Sequence, residues 1–259
     1  MPHTTTERLP PFAGGPGTSS FARARDLRVV AHTRELASDA LGGRTVWCVA
    51  TSSSGQAAAA ELRACLSTPA EDGISAGERG IGADAGTDLR RLAELLDGML
   101  GGDVSGGELS TRERAVFAAG VADGEALLGP GVRADDVVVL HDALAAVLAE
   151  AARARGAHVI RHLSGPARSA AAAEARGFLH AFEHAVDAYV VAGAAPSRRL
   201  AAAMPAPSHV ALKEVATRDA PGEPGAGLGW RAVLAEVVGE DRDEHVGGTL
   251  HARPVIAVR

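Results

Sequence analysis

The sequence predicts an α/β fold, a Rossmann-like parallel sheet flanked by helices. Three observations carry this. Short apolar runs have the length and continuity of buried parallel strands. These runs alternate with helical stretches through the second half of the chain. Near residue 50 a strand, a small-residue turn and a helix follow one another, the opening of a βαβ unit.

Residues 1–20, rich in Thr, Pro and Gly and without a signal pattern, read as a disordered leader. Residues 25–41 have helical spacing and stop at Gly42-Gly43. RTVWCVA (44–50) is the first strand, Thr51 to Gln56 a polar turn, and 57–66 an alanine-rich helix. Residues 69–86 read as loop with at most a weak strand. Helices follow over 87–100 and 110–128, separated by a glycine-rich break at 101–107. DVVVLH (136–141) is a strand, 143–156 a helix, 157–163 a strand, 168–185 a helix and 186–192 a strand. A short helix (196–203) and a short strand (209–212) come next. A Pro/Gly linker (219–229), a helix (230–238) and a strand-like PVIAV (254–258) close the chain. The main parallel strands are therefore expected at about 45–50, 137–141, 158–162 and 187–191.

Hydrophobic residues make up 46% of the 259, but only 3% are aromatic, so Ala, Val and Leu must build the core. A net charge of −6 and a pI near 5.9 argue against nucleic-acid binding, which needs a basic stripe. No 18-residue apolar run offers a membrane span. Cys48 and Cys65 make neither a disulfide framework nor a zinc spacing. A cytoplasmic protein without metal or cofactor is expected.

The order of segments resembles the retaining trehalose synthases of the GT-B type, glycosyltransferases that join glucose from a nucleotide sugar to free glucose. LGGRTVWCVATSSSG with AAAAEL is similar to that family's strand, Ser/Thr/Gly turn and helix. DDVVVLHDA looks like its valine strand with His-Asp, and AHVIRHLS like its strand carrying Arg and His. RGFLHAFEHAVDAYVV is similar to its Phe-Leu helix and Asp-Ala-Tyr strand. GWRAVLAEVVGED and ARPVIAVR look like its linker helix and the first strand of its donor domain. The resemblance runs from Phe21 to Arg259. It implies an acceptor-type GT-B half domain over 21–218 and, over 219–259, the start of a donor domain that would continue beyond Arg259. The family's consecutive turn glycines reduce here to Gly55, followed by Gln56 and Ala57. The chain by itself is therefore not expected to bind UDP- or GDP-glucose.

Ligands of doubly wound sheets sit beyond the carboxyl ends of the strands. His141 and Asp142 close one such strand, Arg161 and His162 the next, and Ser52, Ser53, Ser54 and Gly55 follow the first. The resemblance places acceptor-sugar contacts at His141, Asp142, Arg161 and His162, the candidate catalytic set; Ser52 to Gly55 are candidate substrate-binding residues. A carboxylate can orient or deprotonate a hydroxyl, a guanidinium can clamp an anionic leaving group, and imidazole can do either near neutral pH. The plainer alternative makes Asp142 the N-cap of the following helix and His141 a satisfied turn residue. Because consecutive strand residues face opposite ways, His162 is expected in the turn after its strand, with Arg161 beside His141 on the cleft floor. His180-Ala-Phe-Glu183-His184 matches H-x-x-E-H but lacks a third ligand and carries no metal expectation. Gly77 to Gly82 lacks dinucleotide-binding spacing, and no G-x-S-x-G elbow occurs.

These residues lead to the expectation of a repurposed glycosyltransferase-like subunit of a heteromeric enzyme in specialised-metabolite biosynthesis. It would act on a polar small molecule with an oxygen or oxyanion leaving group, beside a partner subunit or as a homodimer. A sugar-nucleotide-dependent acceptor domain and a non-catalytic binding or scaffold subunit are the alternatives.

Overall fold

A computed structural model describes residue 32 and residues 35–67, 74–80, 86–102, 108–163, 169–192, 211–215 and 228–244. The leader, the helix at 196–203 and the strand at 254–258 lie outside the described residues.

The four expected strands are β1 (Thr45–Ala50), β3 (Val137–Leu140), β4 (His158–Leu163) and β5 (Ala188–Ala192). Two more join them, β2 (Ser75–Gly80) and β6 (Ala211–Val215). They form one sheet in the order β2-β1-β3-β4-β5-β6, with every adjacent pair parallel. β2 falls where the sequence suggested loop with at most a weak strand. Its SAGERG composition lacks an apolar run, and pairing with β1 holds it as an edge strand. Gly77 fits there because a Cβ would lie 2.6 Å from the Trp47 ring.

The helices are α1 (Ser53–Leu66), α2 (Thr87–Gly101), α3 (Thr111–Ala122), α4 (Gly124–Leu128), α5 (Ala149–Ala154), α6 (Ala170–His180) and α7 (Leu228–Glu244). The single helix expected over 110–128 is two. Ser110 starts α3 with a capping box, its hydroxyl accepting from the Glu113 amide at 3.2 Å, and Asp123 separates α3 from α4. The stretch after β3 begins as a 3-10 turn, Leu144–Leu148, before α5. α6 ends at His180, ahead of a 3-10 turn at Glu183–Ala185.

Alternation along the strands divides the core in two. Val49, Val138, Leu140, Val159 and Tyr189 face α2, α3, α5 and α6, where Phe117 packs on Phe178 with ring centroids 5.0 Å apart. Val46, Cys48, Val137, Val139, Ile160 and Val190 face α1, α7 and the helical residues 35–41. Val137 to Leu140 are fully buried, since β3 is covered on both faces. Among the described residues, Leu36 is the large apolar side chain that stands exposed. No described helix is long and apolar enough to cross a membrane.

Candidate functional site

The strand order reverses direction between β1 and β3, and at such a switch point the connecting segments diverge and leave a crevice. The turn after β1 and the residues after β3 meet there, so the sequence-predicted groups reach one end of the sheet.

The Asp142 carboxylate lies at the centre and is 3% exposed. It accepts from the Thr51 amide, from Thr51 Oγ1 at 2.5 Å, from the Ser52 amide at 3.0 Å and from the Ala145 amide at 2.9 Å. The last contact ties Asp142 to the start of the 3-10 turn; the others tie β3 to the end of β1. Gly55 is the close neighbour this requires, because a Cβ there would stand 2.5 Å from Asp142 Oδ2.

Ser52 is the N-cap of α1, its hydroxyl accepting from the Gly55 amide at 3.1 Å. The same hydroxyl donates to Asp97 Oδ2, which also receives Ser54 Oγ at 2.9 Å. Asp97 Oδ1 accepts from the Ala143 amide at 3.1 Å. Ser53 and Ser54 are exposed on the first turn of α1. Asp97 is half-buried and was missed by motif reading. Its signal was positional: it stands four residues after the buried Ala93 and beside the buried Leu96 of α2, so a carboxylate borders an apolar stripe.

Arg161 and His162 separate. β4 continues through His162 to Leu163, which pairs with Val191, so His162 lies in the strand and not in the turn expected. Alternation then sends the two side chains to opposite faces. Arg161, 2% exposed, donates through one guanidinium nitrogen to the Leu140 carbonyl at 3.2 Å and to the Asp142 carbonyl. It braces the end of β3 through the carbonyls on either side of His141.

His162 instead meets His141, Nδ1 to Nδ1 at 3.3 Å with the rings edge to face. Trp230 of α7 covers His162, ring centroids 5.3 Å apart, and was not singled out in the sequence. The Nε2 atoms of both histidines are buried and find no protein partner. Burial first, then the neighbouring His162 and the Arg161 cation, lowers His141 from 6.5 to about 3. Burial and Arg161 lower His162 to about 4. Both rings are neutral at pH 7. A hydrogen bond between two Nδ1 atoms then needs one Nδ1–H ring and one Nε2–H ring, so the pair offers one Nε2 donor and one Nε2 acceptor.

The H-x-x-E-H segment does not form one helical face, because α6 ends at His180. His184 Nε2 lies 3.0 Å from Glu150 Oε1. Among the described residues no group of three His, Cys, Asp or Glu could hold a metal ion. Burial pushes the Cys48 thiol up to about 12, which leaves it inert as a nucleophile.

Set against known proteins, the sequence matches no family model and no curated protein.

Proposed function

We propose that this chain is a glycosyltransferase-like acceptor-type subunit of a heteromeric enzyme in specialised-metabolite biosynthesis, holding a polar, uncharged small molecule at the β1/β3 crevice. The observation that carries the reading is the switch point itself: the strand order reverses between β1 and β3, Ser52, His141 and Asp142 follow the ends of those two strands, and Ser54 of α1 and Asp97 of α2 are hydrogen-bonded beside them. Ser54 and the half-buried Asp97 supply hydrogen-bonding groups at the rim, suited to hydroxyls. The histidine pair, neutral at pH 7, is a poor general base there and serves as a fixed donor and acceptor. The part proposed for this chain is to hold and orient the molecule whose oxygen-linked group is transferred, with the departing group held by a partner.

The test is calorimetric titration of the chain with hexoses and cyclic polyols, and separately with UDP-glucose and GDP-glucose. Saturable binding of a neutral polyol that weakens in Asp97→Ala, with no nucleotide-sugar binding, supports the reading. Tight nucleotide-sugar binding overturns it in favour of the plain glycosyltransferase.

A non-catalytic scaffold subunit is the second reading. It is favoured by Asp142 and Arg161, whose contacts described above go to the chain's own backbone and the Thr51 hydroxyl. Binding of neither class of ligand, with the partner complex intact, selects it.

A further inference from the structure

We propose that Asp142 is a resident anion: its carboxylate occupies an oxyanion nest at the N-terminal end of α1 and bars phosphate- and carboxylate-bearing ligands from that place. This deepens the reading of the crevice as a site for uncharged molecules and rests on it.

The nest is assembled from two elements. The Thr51 amide and hydroxyl and the Ser52 amide come from the end of β1, and the Ala145 amide from the turn after β3. Amides converging at a helix N-terminus are the usual receptor for a ligand's phosphate or carboxylate. Here an oxyanion is already seated on them, and it belongs to the chain. It is 3% exposed, so solvent does not compete for it. Gly55 leaves room for it, since even a methyl group at that position would collide with Asp142 Oδ2 and Cβ.

The neighbouring hydrogen bonds reinforce the exclusion. The Gly55 amide, the third of α1, is taken by Ser52 Oγ. Ser52 Oγ and Ser54 Oγ both donate to Asp97, which brings a second carboxylate to the same turn. An incoming phosphate would meet two carboxylates, with the Thr51, Ser52, Gly55 and Ala145 amides already engaged. Selection against anions is thus built into the residue that the sequence marked as catalytic. Asp142 is a specificity-determining and positioning residue.

The experiment is chemical rescue of the full chain. Asp142→Ala empties the nest while leaving its donors in place. Thermal melting is followed in sodium formate, in sodium phosphate and in sodium chloride of equal ionic strength. The expected result is a lower Tm for Asp142→Ala, raised saturably by formate or phosphate and not by chloride, with no anion-specific rise for the wild type. Asp142→Asn, which keeps the bulk in the nest, should gain nothing. If Asp142→Ala does not fold in chloride, formate-dependent recovery of the far-ultraviolet dichroism is the readout. A wild type stabilised by phosphate as much as the variant, or a variant to which formate gives no more than chloride, overturns the proposal. These outcomes need no natural ligand, so failure of the uncharged-molecule reading shows separately, in the polyol titration.

Discussion

The two ends of β3 carry the same device with different surroundings. At the amino end Asp136, 5% exposed, accepts from the Thr45 amide at 2.9 Å, Trp47 Nε1 at 3.0 Å and the Arg133 amide at 2.9 Å. At the carboxyl end Asp142 accepts from Thr51, Ser52 and Ala145. Each aspartate pins β1 to β3. The difference lies beside them. The carboxyl end adds a helix N-terminus, a second carboxylate at Asp97 and two imidazoles with unmet Nε2 atoms. A buried carboxylate at a strand end is therefore not in itself a sign of catalysis; the helix N-terminus and the second carboxylate beside it distinguish the carboxyl end.

The largest effect that sharpens this comparison is expected from Asp142→Asn. An asparagine turns an NH2 group toward donors and leaves buried amides unsatisfied, costing about 3 kcal/mol of stability. Asp136→Asn should cost a similar amount, about 2 kcal/mol, for the same reason. Urea denaturation of both variants checks this. An Asp142→Asn protein as stable as the wild type would break the parallel between the two ends.

The next effect is one of pH. The two histidines titrate near 6.5 when unfolded but at about 4 and about 3 in the fold. The unfolded chain takes up their protons first. Stability from the neutral pair is thus whole above about pH 6.5 and declines as pH falls toward the folded values. His141→Asn with His162→Asn should flatten the stability profile between pH 7 and pH 4. Melting curves across that range check it, and an unchanged slope would show that the acid sensitivity comes from elsewhere.

The smallest effect is expected from Asp97→Asn. Asp97 is half-buried and ties two serine hydroxyls to the Ala143 amide. An amide oxygen can keep part of this network, so the loss should be about 1 kcal/mol. Thermal melting reads it directly.

Much of this architecture was legible in the sequence because β1, β3, β4 and β5 are buried and leave apolar runs. β2 left none, since its position depends on pairing with β1 and on Gly77 beneath Trp47. Which residues reach the carboxyl ends of the strands was legible too, as strand length fixes it. Side-chain direction was not. Pairing of Leu163 with Val191 keeps His162 in the strand, and alternation then puts Arg161 on the other face. Asp142 was open to two readings, and it bonds to the Ala145 amide from one residue ahead of the cap position, which is Ala143. Its three bonds to Thr51 and Ser52 span about ninety residues of sequence and leave no local pattern. Asp97 and Trp230 reach the site only through helix packing, which motif spacing does not report.

The central claim is that His141 and His162 form a neutral hydrogen-bonding pair and not an acid–base pair. Nitrogen-15 NMR of the imidazole rings tests this most directly, with His141→Asn and His162→Asn supplying the assignments. At pH 7 both rings should be neutral, one carrying its proton on Nδ1 and the other on Nε2, and neither should gain charge by pH 5. An imidazolium at either position at pH 7, or two rings both protonated on Nε2, would contradict the account.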